Sequence, residues 1–265
     1  MVQTANVVQL KPRTLQAFEE YIREAEAGME PSLHGSSTFL WSDTNHERAQ
    51  QVRQGKVVAQ LWAGDGPVKV PHGLIHDWSG AVFVPGATVA QTLALVQNYD
   101  NHKNIYKPEV IDSKLISRDG NDFRIFLRLL KKKIITVVLD TDHDVHYSEV
   151  DASRWFCRSY TTRIAEVEDA GTAQERLLQP DSGYGFLWRL YSYWKFEHKS
   201  AAAAERRGPH GADGVFVECR AISLTRDIPY GLGWIIDPII RKLPQESLVH
   251  TLECTRNALL APQES

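Results

Sequence analysis

The chain contains no apolar run near the roughly 20 residues that span a bilayer. Its opening, MVQTANVVQLKP, has no basic stretch followed by an apolar core and a cleavage site. As written, the sequence is therefore expected to be soluble and cytoplasmic, or periplasmic or secreted if a signal peptide has been removed. Cysteine is scarce: Cys157, Cys219 and Cys254 form an odd set without metal-ligand spacing and sit among apolar neighbours, which points to buried free thiols. Dense positive charge is scarce too. Basic runs such as Lys131 to Lys133 and Arg206 to Arg207 are short, and the net charge is −3, so nucleic acid is not an expected partner. Also missing are a GxSxG elbow, a P-loop, a GxGxxG after a strand and an HExxH helix. No catalytic residue, cofactor or metal is implied.

What is present is a 265-residue chain with 43% hydrophobic residues, enough to bury one full core. Pro12 opens a helix whose Leu15, Phe18, Ile22, Ala25 and Met29 share one face, and this face needs a surface to cover. Thr44 and Glu47 are spaced as a capping box for a second helix ending at Gly55, and Val57 to Trp62 reads as a short strand. Residues 1–70 are thus an N-terminal helical extension, and residues 71–265 a second unit. That unit starts with the long strand LIHDWSGAVFV, broken by Pro85 and Gly86 before a helix capped by Thr88. Strands follow at Val110–Ser117, Phe123–Leu130, Ile134–Tyr147, Arg154–Val167, Gly185–Glu197 and Val215–Thr225, and a last helix is expected to start at Pro244. The class is α+β: a curved antiparallel sheet of about seven strands against a long C-terminal helix, with a cavity wherever that helix does not fill the concavity.

The segment WSGAVFVPGATVAQTLALVQNYDNHKNIYKPEV, supported by GVFVECRAISLTRDIP before the last helix, resembles the START-like or SRPBCC superfamily. The resemblance covers residues 72 to 260. It implies a helix-grip fold enclosing an apolar cavity, and a hydrophobic small molecule or lipid as the ligand. Members include carriers and polyketide aromatase/cyclases, so binding or transport of such a ligand is the leading expectation and a cyclase-like enzyme the alternative. No obligate protein partner is implied.

Period-two alternation proposes a lining for that cavity. Thr141, His143 and Val145 share one face of their strand, and Asp140, Asp142 and Asp144 share the other, where Arg124, Arg128 and Arg158 are available as cross-strand partners. In the same register Cys157, Ser159, Thr161 and Arg163 point inward, as do Trp188, Ser192 and Trp194, then Cys219 and Ala221. The expected ligand-binding set is Thr141, His143, Ser159, Thr161, Arg163, Trp188, Ser192 and Trp194. An inward Arg163 needs an anion, from a ligand or from an internal acid, and His143 is either a satisfied core histidine or a ligand-contact or proton-transfer group. Cys157 and Cys219, two strands apart at about 10 Å, are too distant for a disulfide.

Two further patterns have plain readings. DTDHDVHY lacks the glycine and glutamate of a calcium loop. His76 and Asp77 are adjacent on a strand and point to opposite faces, so they form no direct relay. Tyr99 to Tyr106 is expected at the mouth of the concavity, Gly231 and Gly233 as hinges for ligand access, and GWIIDPII either as a transient membrane contact or as helix packed on the sheet.

Overall fold

The computed structural model describes residues 7–132, 136–200, 213–227 and 233–261, with side chains of the last segment from residue 242 onward. The N-terminal elements are β1 (Val8–Gln9), α1 (Pro12–Leu33), α2 (His46–Arg53), β2 (Val58–Leu61) and β3 (Val68–Val70). β4 (Gly73–Pro85) leads into α3 (Val89–Val96) and α4 (His102–Ile105). Then come β5 (Val110–Asp119), β6 (Asp122–Lys132), β7 (Thr136–Asp151), β8 (Arg154–Glu168), β9 (Arg176–Leu177), β10 (Ser182–Gly183), β11 (Arg189–Lys199), β12 (Gly214–Arg226) and α5 (Gly233–Leu260).

One antiparallel sheet runs β2-β4-β12-β11-β8-β7-β6-β5, with β3 added to β4 and β9 to β8. Successive strands from β5 to β8 pair antiparallel, and the two-residue links Gly120-Asn121 and Ala152-Ser153 return β6 onto β5 and β8 onto β7. β12 then closes back onto β4, joining the first and last long strands and bending the sheet around its concave face.

Helix α5 lies over β4 on that face, flanked by β2 and β12. Gly80 is where it comes closest: a Cβ added there would stand 2.8 Å from Leu252 Cδ1 and 3.1 Å from Leu248. The helix passes through Pro244 instead of starting at it. A proline removes one backbone bond, and here the helix continues across it to seat Leu248 and Leu252 in the core, while Gln245 donates to the Ala59 carbonyl.

The convex face is covered by α1. Phe18, Ile22, Ala25 and Met29 are buried against Ile75, Phe156, Tyr193, Ile222 and Leu224, which is the surface that the apolar stripe of the helix required. Each large side chain buried this way contributes about 1.5–3 kcal/mol. The α1 helix also supplies Glu26, which accepts from Tyr193 Oη at 2.8 Å and from Tyr160 Oη. The cap of α2 is Asn45, which accepts from Arg48 N, not Thr44, whose hydroxyl donates to the Trp41 carbonyl. Thr88 and Gln91 form the capping box of α3.

Candidate functional site

The concave face carries a buried core and, beside it, a row of half-buried apolar residues. Around the C-terminal half of α5, Phe123, Val145, Tyr147, Cys157, Phe196, Val217 and Cys219 pack with Tyr99, Leu248 and Leu252 into a filled core. Leu127, Leu129, Val137, Leu190, Trp194 and Ala221 have the same inward parity yet are only half-buried, although their strands have neighbours on both sides; Leu127, Trp194 and Ala221 pack against the margin of that core. A mid-sheet apolar residue left half-accessible keeps uncovered surface facing the space in front of the sheet.

At the floor of that space is a connected set of polar groups. Thr141, His143, Ser159 and Thr161 are all buried. The Thr141 hydroxyl donates to the Leu127 carbonyl at 2.9 Å. It therefore accepts from His143 Nε2–H, also 2.9 Å away, which leaves Nδ1 to accept from the Ser159 hydroxyl at 3.3 Å. Burial, with the nearby His102 acting the same way, pushes the His143 imidazole down to about 4. The ring is neutral at physiological pH, in one tautomer, with both nitrogens occupied. Thr161 Oγ1 accepts the Leu190 N–H at 3.0 Å, just where regular pairing of β8 with β11 stops at Tyr191 and Tyr160. Trp194 Nε1 donates to Ser192 Oγ at 3.2 Å. Six of the eight expected residues thus share the concave face: Thr141, His143, Ser159, Thr161, Ser192 and Trp194.

Arg163 does not join them. Register between β7 and β8 shifts after Asp142, so Asp142 faces Arg163 and His143 faces Thr161, with Thr162 as the extra residue of a β-bulge. Beyond the bulge the parity of β8 inverts. Ile164 takes the inward place beside Thr141, and Arg163 lies on the convex face with Nη1 3.3 Å from Asp142 Oδ2. Strict alternation missed this because a bulge leaves no clear mark among Tyr, Thr and Arg. Trp188 is the second correction. It precedes the first residue of β11, so strand alternation does not govern it, and it is buried in the α1 cluster with Phe18 and Ile222.

The acids of DTDHDVHY each meet an arginine on the convex face: Asp140 with Arg128 at 2.6 Å, Asp142 with Arg163, and Asp144 with Arg124 at 3.4 Å. Arg158 lines a convex groove of about 370 Å³ together with Arg124 and Asp144. His76 and Asp77 do part to opposite faces. His76 Nε2 contacts Thr225 Oγ1 at 3.1 Å on the concave side, and Asp77 holds Arg220 and Tyr21 on the other.

The segment from Tyr99 to Tyr106 closes one end of the concavity instead of lining an open mouth. Tyr99, His102 and Tyr106 are turned inward and buried: Tyr99 and Tyr147 hydroxyls meet at 2.8 Å, His102 bonds the Val96 carbonyl, and Tyr106 reaches Thr255 on α5. His102 and Tyr106 were not singled out from the sequence as partners of the site. Their aromatic spacing in a polar stretch was the available signal. Gly231 and the side chains of GWIIDPII lie outside the described residues.

No protein-family model matches the chain, and the comparison with curated proteins finds no match. Solved structures with a similar fold include a STAR-related lipid transfer protein fragment from Xanthomonas axonopodis, at 14% identity and TM-score 0.45, covering 74% of this chain and 98% of that one. The Zhui aromatase/cyclase from Streptomyces sp. R1128 is 8% identical at TM-score 0.42, covering 70% and 93%. Human STARD10 is 10% identical at TM-score 0.41, covering 85% and 84%. These likenesses carry nothing about ligand or activity. The chain's own strand order, closure of β12 on β4 and seating of α5 at Gly80 make it a helix-grip fold, a curved antiparallel sheet closed around its last helix.

Proposed function

We propose that the protein binds a lipid or other apolar small molecule on its concave face. The observation that carries this reading is the half-buried row Leu127, Leu129, Leu190, Trp194 and Ala221 around a buried polar floor. A mostly apolar hollow with a few convergent polar groups suits an amphipathic guest. Its apolar body would lie against the leucines and Trp194. Ser192 and Ser159 retain acceptor capacity for its polar end, since each hydroxyl has two lone pairs and one proton. Burying about 300 Å² of apolar ligand surface contributes on the order of 7 kcal/mol before the costs of association.

The His143 site argues against a proton-transfer enzyme. A general base works best with a pKa near the operating pH, whereas His143 is held down to about 4 and both its nitrogens are engaged. Ala221 lies between Trp78 and Ser192 across the sheet, so Ala221→Phe fills the hollow from its floor. Titration with the neutral apolar dye Nile red should show at least tenfold weaker binding in this variant. Equal binding overturns the assignment of the site. Turnover of a candidate ligand that is lost in His143→Ala, with binding retained, overturns the carrier reading.

A further inference from the structure

A second cavity, of about 180 Å³, lies on the opposite side of the sheet, between α1, residues 37–44 and the convex faces of β11 and β12. Its volume equals about six waters, too little for a long acyl chain and enough for a small organic molecule. Phe39, Trp41, Trp62 and Tyr193 wall it, and Lys195, Glu218 and Arg220 bring charge to it. Trp62 is 40% exposed, which places the rim within reach of solvent.

The charged groups are not used up equally. Glu218 is buried and accepts two backbone N–H groups, from Trp41 at 2.8 Å and Ser42 at 2.7 Å. Asp77, the partner of Arg220, takes its Nε and Nη2 at 3.0 and 2.6 Å and also the Tyr21 hydroxyl at 2.8 Å. Both acids are therefore engaged by donors of the protein, Glu218 by two and Asp77 by three. The cations retain capacity. Lys195 Nζ donates to Ser32 Oγ at 2.6 Å and the Phe39 carbonyl at 2.7 Å, and an ammonium has a third proton. Arg220 stacks on Trp62 with its guanidinium carbon 3.8 Å from the ring, and its Nη1 takes no part in the fork to Asp77. The spare N–H groups of the two cations are donors that a guest's carboxylate oxygens can take up, and the aromatic walls favour an anion with an apolar body.

We propose that this convex cavity is a binding site for a small aromatic or aliphatic carboxylate, held by Lys195 with Arg220 as the second positive group. Burial lowers Lys195 to about 8, Arg220 pushes the same way, and Glu218 and Glu197 push against them. The other titratable groups facing this region are Tyr193 and the Glu26 that accepts its hydroxyl; α1 adds Ser32 and the 37–44 segment the Phe39 carbonyl. Lys195 loses its proton as pH rises through about 8, so carboxylate affinity falls between pH 7 and 9.

The test is calorimetric titration of the full chain with benzoate and, separately, inorganic phosphate. Benzoate should bind at pH 7, weaken at least tenfold in Lys195→Met and in Thr38→Trp, which fills the rim without touching Lys195, and weaken at least fivefold at pH 9. Nile red binding should be unchanged in both variants, which also certifies their fold. No benzoate binding at millimolar concentration, equal binding in a folded variant, or phosphate binding as tight as benzoate would each overturn the proposal.

Discussion

Asp142 and Arg163 face each other across β7 and β8 on the convex side of the sheet, 3.3 Å apart, because Thr162 bulges out of β8 between them and the buried Thr161. With Arg163 turned outward, the buried polar set on the described concave face is Thr141, His143, Ser159 and Thr161, all neutral. Asp142 and Arg163 are each about one-third exposed, so the pair contributes about 0–1 kcal/mol. Arg163→Ala should leave Nile red affinity within twofold and shift stability by no more than about 1 kcal/mol. Deleting Thr162 removes only the extra residue, so Arg163 should stay on the convex face opposite Asp142 and Ile164 stay inward beside Thr141, and the variant should keep the parent's single cooperative transition. Denaturant melts of the two variants check both outcomes.

Stability should fall with acid through two histidines. Burial lowers both His102 and His143 to about 4, while the unfolded chain takes up those protons near pH 6.5. The stabilisation is complete above about pH 6.5 and is lost as pH falls toward 4, with each ring accounting for about 3 kcal/mol at most. Glu166 and Glu218, raised by burial, act in the opposite sense. The slope is therefore to be read by difference: the double variant His102→Gln, His143→Gln should show a flatter dependence of unfolding free energy on pH between 6.5 and 4 than the parent.

Thiol reactivity should rank by burial. Cys157 and Cys219 are buried on either side of Trp194, and burial raises both thiols, Cys219 well above the ordinary range. Cys254 is half-buried on α5 and is raised less severely. A disulfide-exchange reagent on the native protein should modify Cys254 first and reach the other two only on unfolding. Peptide mapping after a timed pulse reads the order.

The seat of α5 should be sensitive to volume at Gly80. A Cβ there meets Leu252 and Leu248 at contact distances that only side-chain movement relieves, so Gly80→Ala should be mild. Gly80→Val should cost about 1–3 kcal/mol by overpacking, and Leu252→Ala about 2–5 kcal/mol by leaving a cavity. Chemical denaturation of the three variants measures the order.

The long elements were legible in the sequence because they carry strong periods. The stripe of α1, the strand from Leu74, the alternation of β7 and the cap at Thr88 need only local physics to be seen. Arg163 and Trp188 were misplaced for one reason: alternation holds only within an uninterrupted strand, and a bulge or a strand end resets it without altering composition. The path of α5 through Pro244 is a case of tertiary packing outweighing a local stop signal. The convex cavity was hidden because it depends on α1 and residues 37–44 meeting β11 and β12 from far along the chain. The charged Glu218 and Arg220 inside the apolar run VFVECRAI were its only trace.

Native mass spectrometry of the protein purified from its own source, alongside the Ala221→Phe variant prepared identically, tests the central reading most directly. The parent should carry an apolar small molecule that dissociates on denaturation and is missing from the variant. A parent at the mass of the bare chain that also fails to take up Nile red would contradict it.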